Sequence, residues 1–137
     1  MAVSTIEETL KDYDRAFGRC AELFKAKTSD YGTAWRVLRP SSLTDQLFIK
    51  ANRIRTLQES HEAMVDEGID DEFVGIVNYS LMALIQCGLP QGHPLELPAG
   101  EAVQRYNEAF QATRDLMIAK NHDYGEAWRE MRVSSLT

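Results

Sequence analysis

The chain of 137 residues has little cysteine, little proline outside one stretch and no long apolar run. Each shortage excludes something. Cys20 and Cys87 stand far apart on apolar helical patterns, which suits buried free thiols in a reducing cytoplasm and not a disulfide framework. No segment approaches the ~18 apolar residues of a membrane span. The opening MAVSTIEETLKDYDR mixes charged and apolar positions and lacks the continuous apolar core of a secretory leader. A cytoplasmic protein with no membrane contact is the expectation. Basic residues are in deficit: 15 Lys and Arg against 21 Asp and Glu give a net charge of −6. That balance argues against a broad nucleic-acid surface, whose affinity comes from clustered cations, but leaves room for a local basic site. The chain carries no glycine-rich phosphate loop and no nucleophile elbow.

What it has in abundance is helical periodicity. Ile6, Leu10, Tyr13, Phe17, Cys20 and Phe24 step by four and three, predicting an amphipathic helix over residues 4–29. Ser42 and Asp45, three apart, predict the start of a second helix through LTDQLFIKANRIRTLQES. Asp70 is placed to cap a third helix, DDEFVGIVNYSLMALIQCG, which should end at Gly88 ahead of Pro90. Apolar residues surround this third helix on nearly all sides, so it should be the central one. LPQGHPLELPAGE holds three of the four prolines and reads as a linker. Val103, Tyr106, Phe110, Thr113 and Met117 mark a fourth helix. With no period-two alternation anywhere, the expected fold class is all-α, a bundle of about four long helices.

The chain also repeats itself. Residues 13–44 align with 106–137 without a gap, and 17 of the 32 positions are identical, a self-similarity that reads as an internal repeat. The expected organisation is a complete unit over 1–88, a linker over 89–100 and a partial second unit over 101–137. Tyr106, Phe110 and Met117 form an apolar stripe that must be covered by the first unit or by a second chain. A homo-oligomer, most simply a dimer, is expected on that ground.

The repeated phrase, KTSDYGTAWR and KNHDYGEAWR, supports two readings. In the structural one, Asp30 with Thr33 and Asp123 with Glu126 are capping pairs, Gly32 and Gly125 relieve a tight corner, and Trp35 and Trp128 pin a short helix to the core. In the functional one, Lys27, Asp30, Tyr31 and Arg36 gather two cations, a phenol and a carboxylate around one corner that holds a phosphate or a polar base. Lys50 and Arg53 share a helix face and either join that corner or pair with Asp71 or Glu72. Asn78, inside VGIVNYSLMALI, must find hydrogen-bond partners if buried, either on a neighbouring helix or on a bound base.

The pattern AK-x-x-DYG-x-AWR, followed by LTDQLFIKANRIRTLQ and EGIDDEFVGIVNYSLMALIQ, resembles the nucleotide modification associated domain family. The resemblance covers residues 15–87 and, in the second copy, the first third of the pattern. It implies an all-helical domain that binds or processes a nucleotide or another phosphorylated small molecule, with no established reaction. The substrate-binding set expected from it is Lys27, Asp30, Tyr31, Arg36, Lys50, Arg53 and Asn78. A more distant similarity is to all-α nucleoside triphosphate pyrophosphatases, whose helices present E-x-x-E and E-x-x-D to Mg²⁺. Glu59 and Glu62 have the first spacing; Glu67, Asp71 and Glu72 are the remaining candidate ligands, but Gly75 stands where the second pair needs a carboxylate. Mg²⁺ is therefore expected only if the protein is a nucleotide hydrolase. His61, His93 and His122 have no ligand spacing. The alternative to a nucleotide protein is a non-catalytic helical oligomerisation module in which the repeated corner is simply architecture.

Overall fold

A computed structural model describes residues 2–60 and 65–136, with side chains at 6–60, 68–132, 135 and 136. Four long helices carry the chain: α1 (Ala2–Tyr31), α2 (Pro40–Ser60), α3 (Val65–Gly88) and α4 (Ala99–Tyr124). Single 3-10 turns follow α1 at Ala34–Val37 and α4 at Ala127–Glu130, and a short α5 (Val133–Leu136) comes last. Among the described residues there is no strand, so the protein is an all-α helical bundle. No described helix is long and apolar enough to cross a membrane.

The central element is α3, which packs against α1, α2 and α4, while α2 lies chiefly along α3. Its burial is uneven, however, since Leu84 is exposed. Leu43 and Ile54 of α2 are completely buried, and the adjoining helices run so close that a Cβ at Gly68 would meet Leu57 Cδ1 at 3.3 Å. The main core joins Phe24, Trp35, Leu81, Ile85, Ala102 and Tyr106 with Leu97 from the proline-rich stretch. Tyr106 stacks on Phe24 with ring centroids 4.1 Å apart and planes 15° off parallel. Such a pair adds about 1 kcal/mol to what burial of the rings contributes.

This packing decides how the second unit is covered. Tyr106 is fully buried against α1 and α3, and Phe110 packs beside it against the same core. Arg114 of α4 donates to Asp14 of α1 through two nitrogens, at 2.7 and 3.0 Å. Tyr106 and Phe110 of the α4 stripe are thus covered by the first unit of the same chain, one of the two arrangements expected for them.

The element ends correct other expectations. Helix α2 starts at Pro40, two residues before Ser42, because proline lacks only an N–H that the first turn leaves unpaired anyway. Helix α3 starts at Val65, so Asp70 lies inside it and caps nothing. Helix α1 runs through Asp30 to Tyr31, leaving Asp30 exposed in the last turn; the cap position of the following 3-10 turn is Thr33, with no side-chain cap bond. The Thr33 hydroxyl instead accepts the Leu97 N–H at 3.1 Å. Cys20 is buried, and burial pushes its thiol pKa up, but Cys87 is exposed near the end of α3.

Both corners have the same backbone. Gly32 and Gly125 each take φ of +66°, in the left-handed region that favours glycine. Thr33 and Glu126 follow at φ, ψ of −113°, 48° and −114°, 42°, and Leu38 and Met131 close the turns in extended conformation. Their surroundings differ. Trp35 is buried by α3 and the core, whereas Trp128 is 41% exposed.

Candidate functional site

Three consecutive steps of four along α1 place Arg19, Leu23, Lys27 and Tyr31 on one face. That face, the first corner, Lys50 of α2 and the Asp71 to Met82 side of α3 enclose a cleft of about 1090 Å³. Its size suits a ligand as large as a mononucleotide. Trp35 and Phe24 contribute aromatic wall, Tyr31 stands exposed at the edge, and Tyr79 lies across from them on α3.

The electrostatics of the cleft turn on which charges are already paired. Glu72 accepts from Lys50 Nζ at 3.4 Å on one oxygen and forms an ion pair with Arg53 Nε, 3.0 Å away, on the other. Lys50 reaches it by crossing α3 at Gly75: a Cβ there would lie 2.7 Å from Lys50 Cδ and Cε. Its ammonium also stands 5.5 Å from the centroid of the Tyr79 ring. At the mouth, Arg19 of α1 bridges to Asp71 of α3 at 3.2 Å. Lys27 makes no ion pair among the described residues, and it is the cation in the cleft left open to an incoming anion.

The residues expected from sequence separate into two groups. Lys27, Tyr31, Lys50 and Asn78 line the cleft, as do Asp71 and Glu72. Arg53 stands outside its lining and reaches it only through Glu72, and Asp30 faces away, exposed. Arg36 is buried on the far side of the corner. It donates to Gln86 Oε1 and to the carbonyls of His93, at 3.2 Å, and Pro94, at 2.9 Å. Gln86 returns the bond by donating to the carbonyls of Arg36 and Leu38, at 3.0 and 2.8 Å. Arg36 therefore ties the proline-rich stretch to the corner.

Asn78 lines the cleft, but its amide bonds run elsewhere. Its Nδ2 donates to the Cys20 carbonyl at 3.1 Å, and its Oδ1 accepts the Tyr106 hydroxyl at 2.8 Å, joining α3 to α1 and α4. Burial pushes the Tyr106 hydroxyl pKa well up, so it stays a donor at neutral pH.

Of the carboxylates considered for a metal, Glu59 is exposed on α2 away from the cleft. Glu62 and the side chain of Glu67 lie outside the described residues. Among the described residues no group of three or more His, Cys, Asp or Glu is arranged to hold a metal ion. The histidines sit elsewhere: His93 lies 3.9 Å from Glu101, His122 is exposed beside Asp123, and His61 falls outside the described residues.

Sequence reasoning missed Arg19 and Thr28 as cleft residues. For Arg19 the signal was present, in the stride of four that also carries Lys27 and Tyr31. Thr28 offered none, because a buried threonine on the core side of a helix looks like packing until the cleft beside it is known.

No curated protein and no solved structure matches the chain. The cleft wall from Lys27 through the end of α3, and then the second corner, coincide with the two stretches, residues 27–87 and 120–137, that match the family model described as nucleotide modification associated domain 1. The match spans more than half of the chain, and the protein belongs to that family.

Proposed function

We propose that the cleft binds a nucleotide or a nucleotide-derived metabolite, with Lys27 and Lys50 meeting phosphate and Tyr31, Trp35 and Tyr79 forming the aromatic end. The observation that carries this reading is Lys27, without an ion-pair partner among the described residues, facing the same cleft as the Tyr79-backed ammonium of Lys50. The family's association with nucleotide modification supports it. Arg53 acts at one remove, by sharing Glu72 and so leaving Lys50 less tightly held. We assign binding and no hydrolytic step: Asp71 and Glu72, the carboxylates in the cleft from the metal set, are each engaged with cations of the chain. The test is a thermal-shift screen of mono-, di- and triphosphates, with and without Mg²⁺, on wild type and Lys27→Ala. A ligand at 100 times its Kd stabilises the folded state by about 2.7 kcal/mol, well within reach of the method. Stabilisation by phosphorylated nucleosides that Lys27→Ala abolishes is the expected result. No shift with any nucleotide at millimolar concentration overturns the reading.

A second reading, self-association, is favoured by the exposed apolar residues Leu116, Tyr124, Trp128, Met131 and Leu136 around the second corner. It places a second copy of this chain on that surface. Light scattering at micromolar concentration should then give a dimeric mass for wild type and a monomeric one for Trp128→Glu; a monomeric wild type removes it.

A further inference from the structure

The cations of the cleft are strung out along it. Helices α1 and α3 run past each other in the same direction: Arg19 meets Asp71, the Cys20 carbonyl takes the Asn78 amide, and Phe24 shares the core with Leu81. Tyr31 and Met82 therefore mark one end of the cleft, and Arg19 and Asp71 the other. On the α1 wall Lys27 lies one turn from Tyr31, and Arg19 lies eight residues further back, about 12 Å along the axis. Helical side chains all lean toward the N-terminus, so this spacing carries over to the charged heads. A single phosphate, accepting charge-assisted bonds of about 2.8 Å on either side, is too small to meet both. On the opposite wall Lys50 crosses α3 at Gly75, one turn inward from Asp71 and so between the two stations.

Arg19 is held but not used up. Its guanidinium has five N–H donors, and one bond engages it, from Nη2 to Asp71 Oδ1 at 3.2 Å, with both side chains more than half exposed. An exposed pair of this kind contributes little, whereas a guanidinium takes a phosphate through two parallel bonds. We propose that Arg19 is the second anion station of the cleft and that the ligand is a nucleoside triphosphate. Lys27 meets the phosphate next to the ribose, Lys50 flanks the chain, and the terminal phosphate takes the place of the Asp71 carboxylate on Arg19. This rests on the nucleotide reading above. The other carboxylates of the lining leave room for such a tail: Glu72 is shared by Lys50 and Arg53, and Glu22, exposed three residues from Arg19, opposes the tail only from the solvent side.

The test is calorimetric titration, without Mg²⁺, of the mono- and triphosphates of adenosine, guanosine, cytidine and thymidine into wild type, Arg19→Ala, Asp71→Asn, Lys27→Ala and Arg55→Ala. Wild type should bind one triphosphate about tenfold or more tighter than its monophosphate, the worth of a hydrogen bond between charged groups. Arg19→Ala should remove that advantage and leave the monophosphate affinity as it is. Asp71→Asn frees Arg19 and takes a negative charge from the path of the tail, so the triphosphate should bind several-fold tighter. Lys27→Ala should weaken both ligands alike. Arg55→Ala removes the same charge from an exposed position outside the lining and should leave the advantage intact. Arg19 and Asp71 are exposed, so their variants should keep the wild-type melting temperature. An advantage that survives Arg19→Ala overturns the proposal, as does one lost equally in Arg55→Ala or a weaker triphosphate complex in Asp71→Asn. Equal binding of mono- and triphosphates by wild type removes this proposal and leaves the nucleotide reading standing; binding of neither removes both.

Discussion

Replacing Asn78 should cost the protein stability far beyond the loss of one polar side chain, because its amide is the joint between three helices. In Asn78→Ala the bond to the Cys20 carbonyl disappears, and so does the bond that accepts the Tyr106 hydroxyl. The two losses differ in weight. The Cys20 carbonyl belongs to helix α1 and keeps its place in the helical ladder, so its share is about 1 kcal/mol. The Tyr106 hydroxyl sits on a residue with no solvent exposure and is left without an acceptor, which costs about 1–3 kcal/mol. The small cavity left by the carboxamide adds to this. The sum is about 3 kcal/mol. Tyr106→Phe removes only the donor and leaves Asn78 Oδ1 unpaired, about 1 kcal/mol, while the ring keeps its stack on Phe24. The double variant is the decisive measurement. Once the hydroxyl is gone, Asn78→Ala no longer orphans it, so the double variant should be more stable than the sum of the two losses by about 1 kcal/mol. Urea unfolding of the four proteins, with matching slopes, measures this. Additive losses within about 0.3 kcal/mol would refute the joint, and an Asn78→Ala protein of unchanged stability would return Asn78 to the role of ligand contact.

Three further outcomes follow from the same geometry. Gly75→Ala should gain about 1 kcal/mol of helix propensity, while its Cβ displaces the Lys50 side chain from Glu72 and Tyr79 at a cost of about 1 kcal/mol. Unfolding should therefore show little net change while affinity for a phosphorylated ligand drops, and retained affinity would place Lys50 outside the phosphate site. Arg36→Lys loses the fork that serves Gln86 and two carbonyls and should destabilise by about 2 kcal/mol in chemical denaturation; a near-neutral result would mean the proline-rich stretch is held by Leu97 alone. Glu126 has its pKa held below the ordinary glutamate range, first by the Thr9 hydroxyl and then by Arg129 and Asn121. A depressed carboxyl pKa stabilises the fold above the unfolded-state value of about 4.3 and is lost as pH falls through the folded one. Melting temperatures should accordingly fall on acidification below that value, and Glu126→Gln should flatten the fall; an identical acid profile for both proteins would count against the link.

Much of the fold was legible because helical stripes are local. The six residues from Ile6 to Phe24 and the stop at Gly88 needed only periodicity and a terminator. What could not be read depended on partners distant in sequence. Arg36 looked like a ligand residue because nothing nearby in sequence shows that Gln86 and the carbonyls of His93 and Pro94 come to meet it. Asp30 looked like a cap because the spacing to Thr33 was right, and the error lay in where α1 stops. Leu97 was hidden by its setting, since a leucine among prolines gives no stripe, yet it plugs the core. Lys27 and Lys50 line one cleft, which Lys50 reaches across the notch at Gly75 and not by way of Asp30, a route that no local spacing shows.

Beyond the stack of Tyr106 on Phe24 lies the Trp35 ring, tilted 54° to Phe24 with centroids 6.3 Å apart. A line of three rings thus leads from the interior of α4 to the aromatic wall of the cleft, and on the proposed reading a ligand seated against Trp35 would be linked through them to the seating of α4. Thermodynamic reciprocity then sets the terms: whatever factor a bound ligand contributes to holding α4 in place, the docked α4 returns to the ligand's affinity. On the proposed reading, loosening the fourth helix would weaken binding in the cleft without touching it.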